Sequence, residues 1–235
     1  MGYQLMKLKC LGSGSSGNCY LLTSDNGETL LLDAGLPIMD IKRGLNWNIK
    51  CAVGAICTHT HKDHSLSVSD LKHMGIKVWQ PQLDHSVREI QMGKFHIFCF
   101  QVPHNGTENY GFLIMVDGQK LLYLTDLEYC PYVFKKQRLD HMLIECNYQK
   151  KYVDIDAPNY VHKVKGHCEL ETCKGIVEAN KSDALQNIIL CHLSRDNAVP
   201  SECVAKVKKI APMAHVDVAQ GGKEWILRNG KECPF

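Results

Sequence analysis

The stretch Thr58–His64, THTHKDH, places three histidines and an aspartate within seven residues. It follows Ala52–Cys57, AVGAIC, a short apolar run that reads as a buried strand. A chain with this feature must fold so that a core strand ends at a dense set of metal-binding side chains. Side chains alternate along an extended segment, so His59 and His61 point the same way and can hold one ion together. Asp63 and His64 come one turn later and face a second ion if the chain bends there. A solvated strand–helix loop would explain a lone His-x-His better, but the full H-x-H-x-D-H directly after a buried strand points to metal. Imidazole and carboxylate donors without thiolates suit zinc, manganese or iron. Two ions with open positions would serve catalysis rather than structure.

The chain has 235 residues, 45% of them hydrophobic, enough for a sizeable core. Its formal net charge of +2 argues against a protein held on nucleic acid by its bulk field and leaves a local basic patch open. The start, MGYQLMKLKCLG, lacks a cationic segment followed by a long apolar one, and no apolar run approaches the roughly 20 residues of a membrane span. No membrane partner and a cytoplasmic location are expected. The twelve cysteines are scattered with no C-x-x-C, which fits small buried thiols in a reducing compartment.

Strands are expected at Tyr3–Leu11, Cys19–Ser24, Thr29–Asp33, Ala52–Cys57, Ile76–Trp79, Lys94–Val102, Tyr110–Val116, Lys120–Thr125, Met142–Cys146, Asn187–Cys191, Val216–Ala219 and Glu224–Leu227. Helices are expected at Ile38–Leu45, Ser67–Met74, Asp84–Gln91, Glu169–Asn180 and Ser201–Ile210. Asp25-Asn26-Gly27 and Asp117-Gly118 are hairpin turn signals, and Gly221-Gly222 is a further turn. Hairpins outnumber β-α-β units in the first half, so the class is α/β with mixed sheets. Residues 1–235 read as a single domain.

Gly12–Gly17, GSGSSG, matches the dinucleotide fingerprint G-x-G-x-x-G, and Asp33 stands where a ribose-binding acid would. The context defeats that reading. Between Gly17 and Asp33 the residues NCYLLTSDNGET hold a strand and a hairpin turn, with no room for a helix. Asn18 stands where a phosphate-loop lysine would be. A Gly-rich turn beneath an active site is the expectation.

H-x-H-x-D-H after a strand resembles the signature of the metallo-β-lactamase superfamily, and further elements appear in its order from about Gln4 to Leu227. Asp33 in LLLDAG matches the aspartate that supports the metal loop, His104 in QVPHNG the third histidine of the first site, Asp126 in LLYLTDLEY the bridging carboxylate, and His192 in IILCHLS the last ligand. The resemblance implies a four-layer αββα sandwich of two mixed β-sheets flanked by helices. It implies two divalent metal ions, zinc or manganese: one held by His59, His61 and His104, the other by Asp63, His64 and His192, with Asp126 between.

GSGSSGN, Gly166-His167 and His192–Asn197 are similar to a compact bacterial branch of that superfamily associated with DNA exonuclease activity. The match departs at Cys168-Glu169, where the branch tends to carry Leu-Ser. The expected activity is hydrolysis of a phosphodiester, in nucleic acid or a nucleotide, by a metal-bridging hydroxide. Asp63 would orient the hydroxide and His167 would bind a phosphate oxygen or protonate the leaving group. Ser13, Ser15 and Ser16 with the loop amides are candidate phosphate contacts. Lys42, Arg43, Lys150, Lys151, Lys163 and Lys165 form either a nucleic-acid track or a solvated face. A cyclic-nucleotide phosphodiesterase and a thioester or lactone hydrolase are the alternatives, and assembly as a homodimer is left open.

Overall fold

Turns of two or three residues fix much of the β-structure. The structure, a computed structural model, describes residues 6–158 and 160–227. Its strands are β1 (Met6–Gly12), β2 (Cys19–Thr23), β3 (Thr29–Leu32), β4 (Ala52–Ile56), β5 (Val78–Trp79), β6 (Glu89–Met92), β7 (Phe95–His104), β8 (Thr107–Val116), β9 (Gln119–Leu124), β10 (His141–Glu145), β11 (Asn187–Cys191), β12 (His215–Val218) and β13 (Glu224–Leu227). The helices are α1 (Ile38–Gly44), α2 (Lys62–Ser65), α3 (Val68–His73), α4 (Tyr160–Gly166), α5 (Leu170–Asn180) and α6 (Pro200–Ile210). Residues 3–5 of the first expected strand lie outside the described residues. No helix among those described is long and apolar enough to cross a membrane.

The strands form two mixed β-sheets flanked by helices. One sheet has six strands in the order β13-β1-β2-β3-β4-β5, and the other has seven in the order β12-β11-β10-β9-β8-β7-β6. In the first, the pairs β13–β1, β1–β2 and β2–β3 are antiparallel, while β3–β4 and β4–β5 are parallel. In the second, β9 to β12 are parallel, and β6 and β7 form an antiparallel pair. Gly27, at φ 88°, closes the β2–β3 turn, and Asp117 and Gly118, at φ 51° and 72°, form the left-handed pair that a tight β8–β9 hairpin requires.

The residues group into two compact units. The first comprises residues 6–99, 114–118 and 219–227. Its β2 and β3 are buried at every position but one, Thr23, because the sheet is covered on both faces here. Leu21, Leu31 and Ala55 pack under Ile41 and Leu45 from α1 and its C-terminal cap, and under Leu71 of α3. The second unit comprises residues 100–113, 119–158 and 160–218. The central strands β10 and β11 carry the runs MLI and IILC, the near-continuous apolar signature of a parallel sheet buried on both faces. Helices α5 and α6 bury Leu170, Cys173, Ile176, Val177, Cys203 and Val207. The described cysteines are all free, and most are buried.

One expectation needs correction. Asp84–Gln91 is not a helix. Asp84 caps a tight turn instead, its Oδ1 accepting from Ser86 N at 3.1 Å and Oγ at 2.6 Å. The chain then enters β6, which pairs Glu89–Met92 with Phe95–Phe98. Partnering decides this, because Met92 inserts its sulfur against Gly54, where a Cβ would lie 2.1 Å from it. The strands β12 and β13, which flank the Gly221-Gly222 turn, belong to different sheets. Helix α4 was not expected at all.

One buried histidine on β10 makes stability depend on pH. His141 Nε2 donates to Gln119 Oε1 at 2.7 Å, and its Nδ1 accepts from Asn187 Nδ2 at 3.1 Å. Both nitrogens are satisfied in the neutral ring, and burial lowers the pKa from 6.5 to about 3. The folded value is the lower one, so the stabilisation is complete above the unfolded pKa and is lost as pH falls from there towards 3. Urea unfolding at pH 7 and pH 5 should show the wild type losing about 2 kcal/mol more than His141→Gln between the two.

Candidate metal centre

In the first unit, β4 delivers the chain into a fully buried Cys57, Thr58 and His59. Asp33 ends the neighbouring strand β3 at φ 59°, and its amide donates to Ile56 O at 2.9 Å. The turned backbone sets the Asp33 carboxylate under the motif. Its Oδ1 accepts from Thr58 N at 2.8 Å, and its Oδ2 meets His64 Nδ1 at 2.7 Å. Thr58 Oγ1 lies 3.0 Å from His59 Nδ1. The one-turn helix α2 then bends the chain, and the His59 ring stands 4.5 Å from that of His61 and 4.4 Å from that of His64. Donor atoms of His59 and His61 lie within 4.8 Å of each other, as do those of Asp63 and His64.

The Gly-rich loop supports this from below. Asn18 N donates to Asp63 O at 2.7 Å, and Gly14 N donates to Asn18 Oδ1 at 2.8 Å. Asn18 Nδ2 faces Gly14 O at 3.1 Å, Asp63 O at 3.3 Å and His64 Nε2 at 2.9 Å. Gly35 is required beside it, because a Cβ there would lie 1.7 Å from Asp63 O. Ser13 accepts from Tyr20 OH at 2.8 Å, while Ser15 and Ser16 stand exposed at the loop tip.

In the second unit, His104 ends β7, Asp126 follows β9 at φ 51° and His192 follows β11 at φ 53°. His104 Nε2 lies 3.9 Å from Asp126 Oδ2, and His192 Nε2 lies 3.4 Å from Asp126 Oδ1. Asn147 Nδ2 donates to His192 O at 2.7 Å. Glu145, at the end of β10, is fully buried and was missed by the sequence reading. Its Oε1 faces His167 Nδ1 at 2.8 Å and His192 Nδ1 at 3.2 Å. Its Oε2 accepts from Leu127 N at 3.0 Å and Cys168 N at 3.1 Å. The His167 and His192 rings stack at 5.2 Å. The one signal for Glu145 in the sequence is a carboxylate inside the apolar run of Met142–Cys146.

Burial opposes the negative charge on Glu145. The attraction of His167 and hydrogen bonds from His167 and His192 outweigh it, holding the carboxyl below its ordinary range. Burial likewise opposes the charge on His167, but the Glu145 charge and hydrogen bond, with Asp126, raise its pKa above the usual imidazole value. His104 moves the other way, since burial lowers it more than Asp126 and Gly166 O raise it. Glu169 accepts from Glu171 N at 2.5 Å and so caps α5. That accounts for an acid at the position where the resemblance expects serine.

The donor set suits a metal. His59, His64, His104 and His192 each engage Nδ1, with Thr58, Asp33, Gly166 O at 2.6 Å, and Glu145 respectively. Such partners fix the tautomer and ring orientation of metal-binding histidines and leave Nε2 as the ligand atom. Of the expected basic residues, Arg43 pairs with Asp40 at 2.6 Å and Lys151 with Glu202 at 2.7 Å. Lys163 and Lys165 lie on α4.

Solved structures share this architecture. A metallo-β-lactamase fold protein, YhfI, from Bacillus subtilis superposes with a TM-score of 0.71 at 19% identity, covering 94% of this chain and 99% of that one. The chain has the metallo-β-lactamase fold. A diphosphatase of the PhnP family matches with a TM-score of 0.66 at 17% identity, over 95% of this chain and 98% of its own. The short form of human tRNase Z matches at 0.62 and 14%, over 95% and 100%. No protein-family model matches the sequence, and no curated protein matches it. The metallo-β-lactamase fold thus spans nearly the whole of this chain and of these neighbours.

Replacing His61 or Asp126 by alanine should lower the metal content measured by elemental analysis. Glu145→Gln should cost roughly 10- to 100-fold in metal affinity or activity through the two histidines it holds. Unchanged metal content in both alanine variants would place the ions elsewhere.

Proposed function

We propose that this protein is a metal-dependent hydrolase that cleaves phosphodiesters, with DNA or RNA as substrate. The observation that supports this most is the grip of Glu145 on His167. Cleavage of a P–O bond leaves an alkoxide that needs a proton, and a buried carboxylate at 2.8 Å keeps an imidazolium ready beside Asp126 and His192. The expected ligands are His59, His61 and His104 for one ion and Asp63, His64 and His192 for the other, with Asp126 shared. Two divalent ions, zinc or manganese, would supply an activated water and neutralise charge developing on the phosphate oxygens. Asp63 orients the attacking water, His167 Nε2 gives its proton to the leaving oxygen, and Glu145 stabilises the charged ring until then. Ser15 and Ser16 at the loop tip offer hydroxyl and backbone donors to a phosphate oxygen. The fold neighbours named a diphosphatase and a tRNase support phosphoester chemistry over a thioester or lactone.

The metal-loaded protein should hydrolyse bis(4-nitrophenyl) phosphate and linear DNA or RNA, and lose both activities in a chelator. Turnover of cyclic nucleotides alone would favour the small-signal phosphodiesterase and sink the nuclease. Nitrophenolate leaves without a proton and an alkoxide does not, so His167→Ala should impair nucleic-acid cleavage far more than the nitrophenyl ester. Equal losses on both substrates would remove His167 as the proton donor.

A further inference from the structure

The neighbours of His104 in the chain hold two exposed segments of the second unit. Pro103 O accepts from Glu128 N at 2.8 Å, which ties down residues 128–138, EYCPYVFKKQR. Asn105 N donates to Lys165 O at 2.9 Å, and His104 Nδ1 faces Gly166 O, which ties down the last turn of α4. The first segment exposes Tyr129, half open to solvent, with Tyr132 and Val133. The Tyr132 ring is steadied against Phe100 at 5.4 Å, and Phe134 packs on Phe100 at 4.7 Å. Lys135 and Lys136 follow, both exposed. The second segment carries Lys163 and Lys165, with no acid between Asp156 and Glu169. Among the described residues neither lysine has an ion-pair partner, in contrast to Lys151 and Arg138, which are paired to Glu202 and Asp183.

Exposed aromatic rings beside unpaired cations match the chemistry of single-stranded nucleic acid, whose bases stack on rings while its phosphates take lysines. We infer that the segment of Tyr129, Tyr132, Lys135 and Lys136 and the helix of Lys163 and Lys165 bind a single strand of nucleic acid and feed it to the His104 edge. Duplex DNA keeps its bases stacked and leaves the tyrosines unused, and a cyclic nucleotide needs no second contact. This inference rests on the phosphodiesterase reading for why a polymer arrives here.

The test is fluorescence anisotropy with the metal-loaded full chain and a labelled phosphorothioate oligothymidine of about 20 nucleotides, which resists cleavage, at several salt concentrations. Wild type should bind the strand more tightly than a duplex of equal length. The pair Lys163→Glu and Lys165→Glu should weaken binding about tenfold or more and flatten the log–log salt slope by roughly 1.4, two contacts at about 0.7 each. Lys163→Arg with Lys165→Arg should restore both. Tyr129→Ala with Tyr132→Ala should weaken binding about tenfold at an unchanged salt slope. Binding indifferent to both pairs, an unaltered slope in the glutamate pair, or preference for duplex would overturn the inference. Cleavage of bis(4-nitrophenyl) phosphate without strand binding would sink the track and leave the hydrolase. Strand binding without cleavage of any phosphodiester would do the reverse.

Discussion

A carboxylate with no access to water survives only when donors occupy its oxygens, and two such groups organise the chemistry of this chain. Asp33 is fully buried and meets the Thr58 amide, the Thr58 hydroxyl and His64 Nδ1. Glu145 is fully buried and meets His167, His192 and two backbone amides. Removing one donor from either would leave part of a buried charge uncompensated, a penalty of roughly 1–3 kcal/mol or more. The carboxylates therefore hold their histidines firmly, each reaching ring nitrogens on the side away from the expected ligand atoms.

Each carboxylate can do this because a strand brings it there. Asp33 lies just past β3, which pairs in parallel with β4, so it reaches the start of the histidine motif directly. Glu145 ends β10, between β9 and β11, whose ends lead to Asp126 and His192. Parallel neighbours end at the same level, and side chains at adjacent strand ends can then converge on one place. In open α/β sheets the carboxyl ends of the strands are where ligands bind.

Much of this was legible. Seven residues contain four candidate ligands because a strand end followed by one helical turn can present them from contiguous sequence. Asp33, Asp126 and His192 were legible because each directly follows an apolar strand. Glu145 was hidden, since a single acid next to Cys146 carries no motif, and its partners His167 and His192 lie 22 and 47 residues away in the chain. Strand β6 was hidden for a different reason: its helical pattern is weak, and pairing with β7 and the seat of Met92 at Gly54 decide it. Helix α4 is short and was read as a set of charges, so its support of His104 and Asn105 could not be seen.

The left-handed backbone at Asp33, Asp126 and His192 subjects these positions to two separate demands. A non-glycine residue there costs about 1–3 kcal/mol, least for asparagine, aspartate and histidine, whichever chemistry its side chain performs. Glycine would relieve that cost and remove the side chain expected there as ligand or support. Asparagine would keep the conformation and remove the charge. A relative with this fold and no demand for these side chains would thus be expected to carry glycine or asparagine at 33, 126 and 192 while keeping its shape. Those substitutions would record a change of occupation written in the backbone.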